Sequence, residues 1–173
     1  MSHVEEVQTI LKGRFDRQLN TKLIDIRGVD CIEQYNVNYI TDYDEKFVAK
    51  KINSASKEDK IEREKFIKEV KKGAEKYVKE DLYTRQFVIQ MKYDDKLELA
   101  SCLSLMQFIV RDKKIDLHIF SRSQNFESNF LYDNQTYMKL LRVAYDEICK
   151  EWGWMEIVIG IIYIHITSLH ILK

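Results

Sequence analysis

Residues 102–125 read CLSLMQFIVRDKKIDLHIFSRSQN: two apolar runs, Leu103 to Arg111 and Ile115 to Phe120, on either side of the polar triplet Asp112-Lys113-Lys114. Alternating runs rich in β-branched and aromatic residues predict strands, and a short polar break between them predicts a hairpin. In the second run Ile115, Leu117 and Ile119 share one face, and Asp116, His118 and Phe120 the other. A hairpin brings its outer ends together, so Cys102 and Arg122, which Ser123 follows, should be neighbours although about twenty residues separate them in the chain. This stretch therefore bears on both the fold and the chemistry.

Outward from the hairpin, residues 22–40, KLIDIRGVDCIEQYNVNYI, alternate around Gly28 and predict two short strands or one strand with a bulge. Arg85 to Lys92 predicts a further strand, and the β-branched tail MEIVIGIIYIHITSLHI a buried one. Between residues 57 and 80, Ile67, Val70, Ala74 and Tyr77 recur at helical spacing among interspersed Lys and Glu, the pattern of an amphipathic helix with a solvated face. A second helix from Asn134 to Trp152 carries Tyr137, Leu140, Leu141, Ala144, Tyr145 and Ile148, with Gly153 as its stop signal. One α+β domain over residues 1–173 is expected, a mixed, largely antiparallel sheet with packed helices.

Composition narrows the function classes. The chain has 173 residues with 28 basic and 28 acidic side chains, so no overall field points to nucleic acid or an anionic membrane. No apolar window approaches a membrane span, and MSHVEEVQTI lacks the order of a signal peptide, so a cytoplasmic protein is expected. Cys31, Cys102 and Cys149 are too scattered for a disulfide framework or a zinc motif. His165 and His170, at an odd separation on one strand, should face opposite ways, which argues against a metal shared with His118.

A lone cysteine before a strand reads first as a small buried hydrophobe. Cys102 becomes chemical through its company: an Arg-Ser pair offers a charged fork and a neutral hydroxyl, a natural set for phosphate. Arg14 or Arg17, on an N-terminal loop, has two readings, a further phosphate contact or a surface Arg, and no pattern in the sequence separates them. Asp133 has two readings, a cap for the helix beginning at Asn134 or a group facing a ligand.

These residues also carry a resemblance. Cys102, then Met106-Gln107-Phe108, then the hairpin and Arg122-Ser123, resembles the core of the thymidylate synthase and deoxycytidylate hydroxymethylase family, over residues 82–172 with a weaker echo in 20–50. The resemblance implies a thymidylate-synthase-like fold and a pyrimidine nucleotide C5 one-carbon transferase that hydroxymethylates, or methylates, its base through a thioether to the cysteine. Cys102 and Asp133 would be its catalytic residues, and Arg85, Gln107, Arg122, Ser123, Asp133 and His170 would bind the nucleotide. It further implies 5,10-methylenetetrahydrofolate as the one-carbon donor, with Asn125 at a folate-contacting position. A homodimer is expected because Arg85, in Thr84-Arg85-Gln86, would reach the partner's phosphate.

Asp133 stands where uracil-using members carry Asn. A protonated carboxyl group donates to N3 and accepts from N4, so it suits cytosine, and dCMP or CMP is the expected substrate. Leu103, Asn125 and Leu172 replace the family's His, Asp and Tyr, and FVAKKINSAS offers no counterpart of its proton-transferring helix Glu. These departures carry the alternative of a catalytically reduced, nucleotide-binding or regulatory member.

Overall fold

The hairpin turns on Asp112 and Lys113, whose φ angles of 47° and 61° place both in the left-handed region. Two successive positive φ values match the right-handed twist of the flanking strands, and here an Asp-Lys pair adopts them without glycine. In the computed structural model, which describes residues 2–17, 24–26, 29–53, 56–78, 85–90, 102–152 and 157–172, the hairpin strands are β4 (Leu103–Arg111) and β5 (Lys114–Asn125). The second strand thus runs well past the expected end at Phe120, because Ser121 to Asn125 pair onward with the C-terminal strand.

The full order is α1 (His3–Arg17), β1 (Ile24–Ile26), β2 (Val29–Asp42), α2 (Glu45–Ala49), α3 (Lys57–Gly73) with a π turn at Ala74–Val78, β3 (Val88–Gln90), β4, β5, α4 (Phe130–Trp152) and β6 (Val158–Leu172). They form one six-stranded sheet ordered β1-β2-β6-β5-β4-β3. Every neighbouring pair is antiparallel except β5 and β6, whose parallel pairing uses α4 as the crossover. The expected α+β class and largely antiparallel sheet are observed. Gly28, Thr84, residues 91–101 and Gly153 lie outside the described residues.

Two expectations change. Residues 3–17 are a helix rather than a loop, so Arg14 and Arg17 sit in the last turn of α1. The apolar side chains at Val4, Val7, Leu11 and Phe15 explain it, since all four are buried. The second helix begins at Phe130 rather than Asn134, because Phe130 and Tyr132 are already part of its buried surface.

Helices cover one face of the sheet. Met138, Leu140, Leu141 and Ile148 of α4, Val70 of α3 and Phe15 of α1 join Ile115, Leu117, Ile119, Ile162, Ile164 and Ile166 in a single apolar cluster. Each such side chain removed from water contributes roughly 1.5–3 kcal/mol. The other face carries Asn38, Ile40, His118, Phe120, Tyr163 and His165, with Ile40 and Phe120 left 46% and 43% exposed. Among the described residues no helix is long and apolar enough to cross a membrane.

The sheet is kinked near the end that bears Ser123. In a regular strand buried residues fall two apart; here Leu103 and Met106, Ser121 and Gln124, Ile166 and Leu169, and Gln34 and Val37 fall three apart in four adjacent strands. The register of β4 shifts between Leu103 and Leu105, and Asn36 in β2 takes a φ of 52°. Stacked irregularities of this kind re-aim the side chains beyond them. One consequence corrects the histidine expectation: His165 alternates with buried Ile164 and Ile166, and His170 follows buried Leu169, so both point away from the helices despite their odd separation.

Candidate functional site

Cys102, exposed immediately before β4, is joined to the far end of the hairpin by three bonds. Its carbonyl accepts from the Arg122 N–H at 2.9 Å and from the Ser121 hydroxyl at 2.9 Å. Its Sγ accepts from the Ser123 hydroxyl at 3.2 Å. Thiol, hydroxyl and the exposed Arg122 are thus brought together by strand pairing across the kink.

The next residue connects this cluster to α4. Gln124 turns under the helices, 3% exposed, and its Nε2 donates to Asp133 Oδ2 at 2.8 Å. Asp133 lies within the first turn of α4, its N–H donating to the Asn129 carbonyl at 2.8 Å, so it does not cap a helix starting at Asn134. Asn134 is fully buried, its Nδ2 donating to the Phe130 carbonyl at 2.8 Å and its Oδ1 accepting from the Tyr39 hydroxyl at 3.1 Å. The helix therefore presents a carboxyl group toward Gln124 and spends the adjacent amide on the core. Burial pushes the Tyr137 phenol well above its ordinary range, and the charges of Asp133, Tyr39, Cys102 and Glu62 add to the effect. Tyr39 moves the same way, by burial first, against the hydrogen bond from Asn134. Both phenols stay neutral beside the carboxyl group.

At the end of β5, Asn125 Oδ1 accepts from the N–H groups of Glu127 at 3.0 Å and Ser128 at 3.1 Å, an Asx turn that leads into α4. The following Phe126 N–H donates to the His170 carbonyl at 2.8 Å. His170 pairs with Asn125 on one side and Glu33 on the other. Burial lowers its imidazole below the usual range while Glu33 opposes that shift.

Hydrogen bonds join Cys102 to Ser123 and Gln124 to Asp133, the two pairs being consecutive along β5, and Asn125 and His170 border them by strand register. Gln107 and Arg85 stand apart. Gln107 lies on β4 roughly 15 Å along the strand from Cys102. Its Nε2 donates to the Arg85 carbonyl at 2.9 Å, holding the start of the edge segment that presents exposed Arg85.

Two groups escaped sequence reading. Gln124 carried no motif signal, and its role depends on the kink. Glu62, half-buried on α3, was one acid among many on a helix read as a solvated face, yet its charge is felt at Tyr137. Its neighbour Arg63 fixes that approach: Nε donates to Thr136 Oγ1 at 2.8 Å, and the guanidinium lies 3.8 Å over the Tyr132 ring. No protein-family model matches the chain, and no curated protein matches it.

Proposed function

We propose that the chain is a pyrimidine nucleotide C5 one-carbon transferase acting on a cytosine nucleoside monophosphate, dCMP or CMP, through a thioether to Cys102. The observation that carries this reading is the Ser123 hydroxyl 3.2 Å from the Cys102 thiol, beside Arg122, with the next residue, Gln124, holding the Asp133 carboxyl group. A nucleophile, a phosphate-binding pair and a base-reading carboxyl group are what addition to C6 of a nucleotide requires.

In this reading the Cys102 thiolate adds to C6, and the electron pair displaced from the C5–C6 bond makes C5 nucleophilic. Once C5 is substituted, loss of its proton restores the double bond and expels the thiolate from C6. Arg122 and Ser123 hold the 5′-phosphate, and binding energy at that remote group orients the ring against the sulfur. Asp133, steadied by Gln124, donates to N3 and accepts from N4 of cytosine. The half-buried Glu62 carboxyl group, whose charge reaches Tyr137, is the candidate on α3 for a proton carrier.

5,10-Methylenetetrahydrofolate would supply the electrophilic carbon. Of the residues implied to meet it, Asn125 fits with one group only, its Nδ2, since its oxygen serves the Asx turn. That commitment favours a second reading, a nucleotide-binding protein in which transfer is reduced. A homodimer is part of the proposal: a second copy on the open sheet face would cover Ile40 and Phe120 and receive Arg85.

Tritium release from C5-labelled CMP, dCMP and dUMP tests the reading. Release from a cytosine nucleotide, lost in Cys102→Ser, is expected; nucleotide binding without release from any of the three would overturn the enzyme in favour of the second reading. Sedimentation as a strict monomer at micromolar concentration would remove the dimer.

A further inference from the structure

The row of residues crossing the kinked end of the sheet ends in a carboxylate with no part in the chemistry above. Glu33 on β2 is the direct cross-strand partner of His170 on β6, and Asn125 on β5 is the partner of His170 on its other side. Directly opposed residues share a face, so the three side chains stand in line. They are one step along the strands from Ser123, whose own row continues through Ser168 to Tyr35. That step is about 7 Å, the span from a nucleotide's 5′-phosphate to its sugar hydroxyls.

Glu33 is held in place from the neighbouring row. The Ser168 hydroxyl donates to Glu33 Oε1, and the hydrogen bond with Glu33 is the first cause holding the Tyr35 phenol above its ordinary range. A carboxylate has about four acceptor sites, so two such donors leave capacity for two more. Beside it His170 Nδ1 is shut off from solvent and has no hydrogen-bond partner among the described residues. A carboxylate with spare lone pairs next to an unpartnered imidazole nitrogen matches two adjacent hydroxyl groups. Carboxylates at nucleotide sites elsewhere take the ribose 2′-hydroxyl in this manner.

We infer that Glu33, beside the His170 that the resemblance already gives to the nucleotide, completes a subsite for the vicinal 2′,3′-diol of ribose, which makes the preferred substrate a cytosine ribonucleotide rather than a deoxyribonucleotide. The inference rests on the nucleotide reading above and adds the residue that selects the sugar. Glu33 is a specificity residue: it touches the sugar and stays away from C5 and C6.

Calorimetry with CMP, dCMP and 3′-deoxy-CMP separates the two levels. The wild-type chain should bind CMP roughly tenfold or more tighter than either deoxy analogue, the loss expected when a hydrogen bond to a charged, half-buried acceptor is removed. In Glu33→Gln the preference should collapse toward one, with dCMP affinity nearly unchanged, and this arm needs no comparison of absolute stability because each variant is its own control. Equal binding of all three nucleotides by the wild type would overturn the diol subsite while leaving the nucleotide site intact. Binding of none would overturn the nucleotide reading, and the subsite with it.

Discussion

The two halves of the sheet, either side of the kink, are built by opposite rules. In the straight half the buried rows of β5 and β6 are apolar, Ile115, Leu117, Ile119, Ile162 and Ile164 being 0–2% exposed, and Thr41 of β2 is the buried polar residue beside them. Beyond the kink the buried row is Gln124, Leu169 and Gln34. There Gln124 Oε1, Gln34 Nε2, Asn129 Oδ1 and His170 Nδ1 are shut off from solvent without a partner among the described residues. Each such group costs about 1–3 kcal/mol. Stability therefore resides in the straight half, and the kinked half gives some of it up to hold polar groups in set positions, as expected of a recognition site.

The comparison breaks if the halves cannot be perturbed separately. The largest expected effect is on chemistry: Cys102→Ser should reduce C5 tritium release to background while moving the thermal midpoint little, because the side chain is exposed. A large drop in the midpoint would make Cys102 structural. Next is the converse, Leu117→Ala in the straight half, expected to cost about 2–5 kcal/mol in denaturant unfolding with the ratio of CMP to dUMP binding preserved. A changed ratio would mean that the core and the site are one cooperative unit.

The straight half was the legible one. Its strands alternate, so periodicity assigned Leu103–Arg111 correctly and set the inward face of Ile115, Leu117 and Ile119. Local turn chemistry was harder, since Asp112-Lys113 forms a tight turn usually signalled by glycine. The kinked half was legible only in its covalent spacing: Cys102 and Arg122 were expected to be neighbours, and the Arg122 N–H donates to the Cys102 carbonyl. Gln124 and Glu33 were not legible, because an alternation rule carried through Ser121 on β5, or through Asn36 on β2, assigns the wrong face to the residues beyond it. Helix α1 was missed for a different reason, although its signal was present. Ser2 and Glu5 form a reciprocal capping box, the Ser2 N–H donating to Glu5 Oε2 at 2.7 Å and the Glu5 N–H to Ser2 Oγ at 3.3 Å.

Two smaller substitutions sharpen the division. Asp133→Asn should shift preference from cytosine toward uracil nucleotides by roughly 10- to 100-fold, the worth of one mismatched buried polar group. Competition binding of CMP against dUMP and UMP reads this, and an unchanged preference would remove Asp133 from base recognition. In the straight half, Gly160 sits where the register of β5 on β6 shifts between Ile115 and Leu117. A Cβ there would run into Asp116 Oδ1 and stand 3.0 Å from the Ile115 carbonyl oxygen. Asp116 Oδ1 accepts from the Ile161 N–H at 2.8 Å, so Gly160→Ala should break that bond and lower stability by about 1–3 kcal/mol. An unchanged unfolding midpoint would show that Asp116 swings aside at no cost.

The smallest effect concerns the helix that braces the kinked half. Phe15 at the far end of α1 packs on Phe126, ring centres 5.2 Å apart, and Phe126 on Phe130 at the start of α4. At the near end the Glu5 carboxyl group falls from 4.5 to about 2, first through Lys50, whose Nζ lies 2.6 Å from Oε1, and then through the Ser2 N–H. A depressed carboxyl value means that the charged form favours the fold. This contribution is complete above the ordinary value and is lost as pH falls from about 4.5 toward 2. The pair lies at the surface, so Glu5→Gln, which keeps the capping geometry, should cost about 0.5 kcal/mol or less at neutral pH. That difference should shrink in high salt and vanish at the acid end of the window. Thermal melts of both proteins across the window check this. A gap that persists in acid would mean that Glu5 acts by shape, and that the brace on the kinked half does not depend on charge.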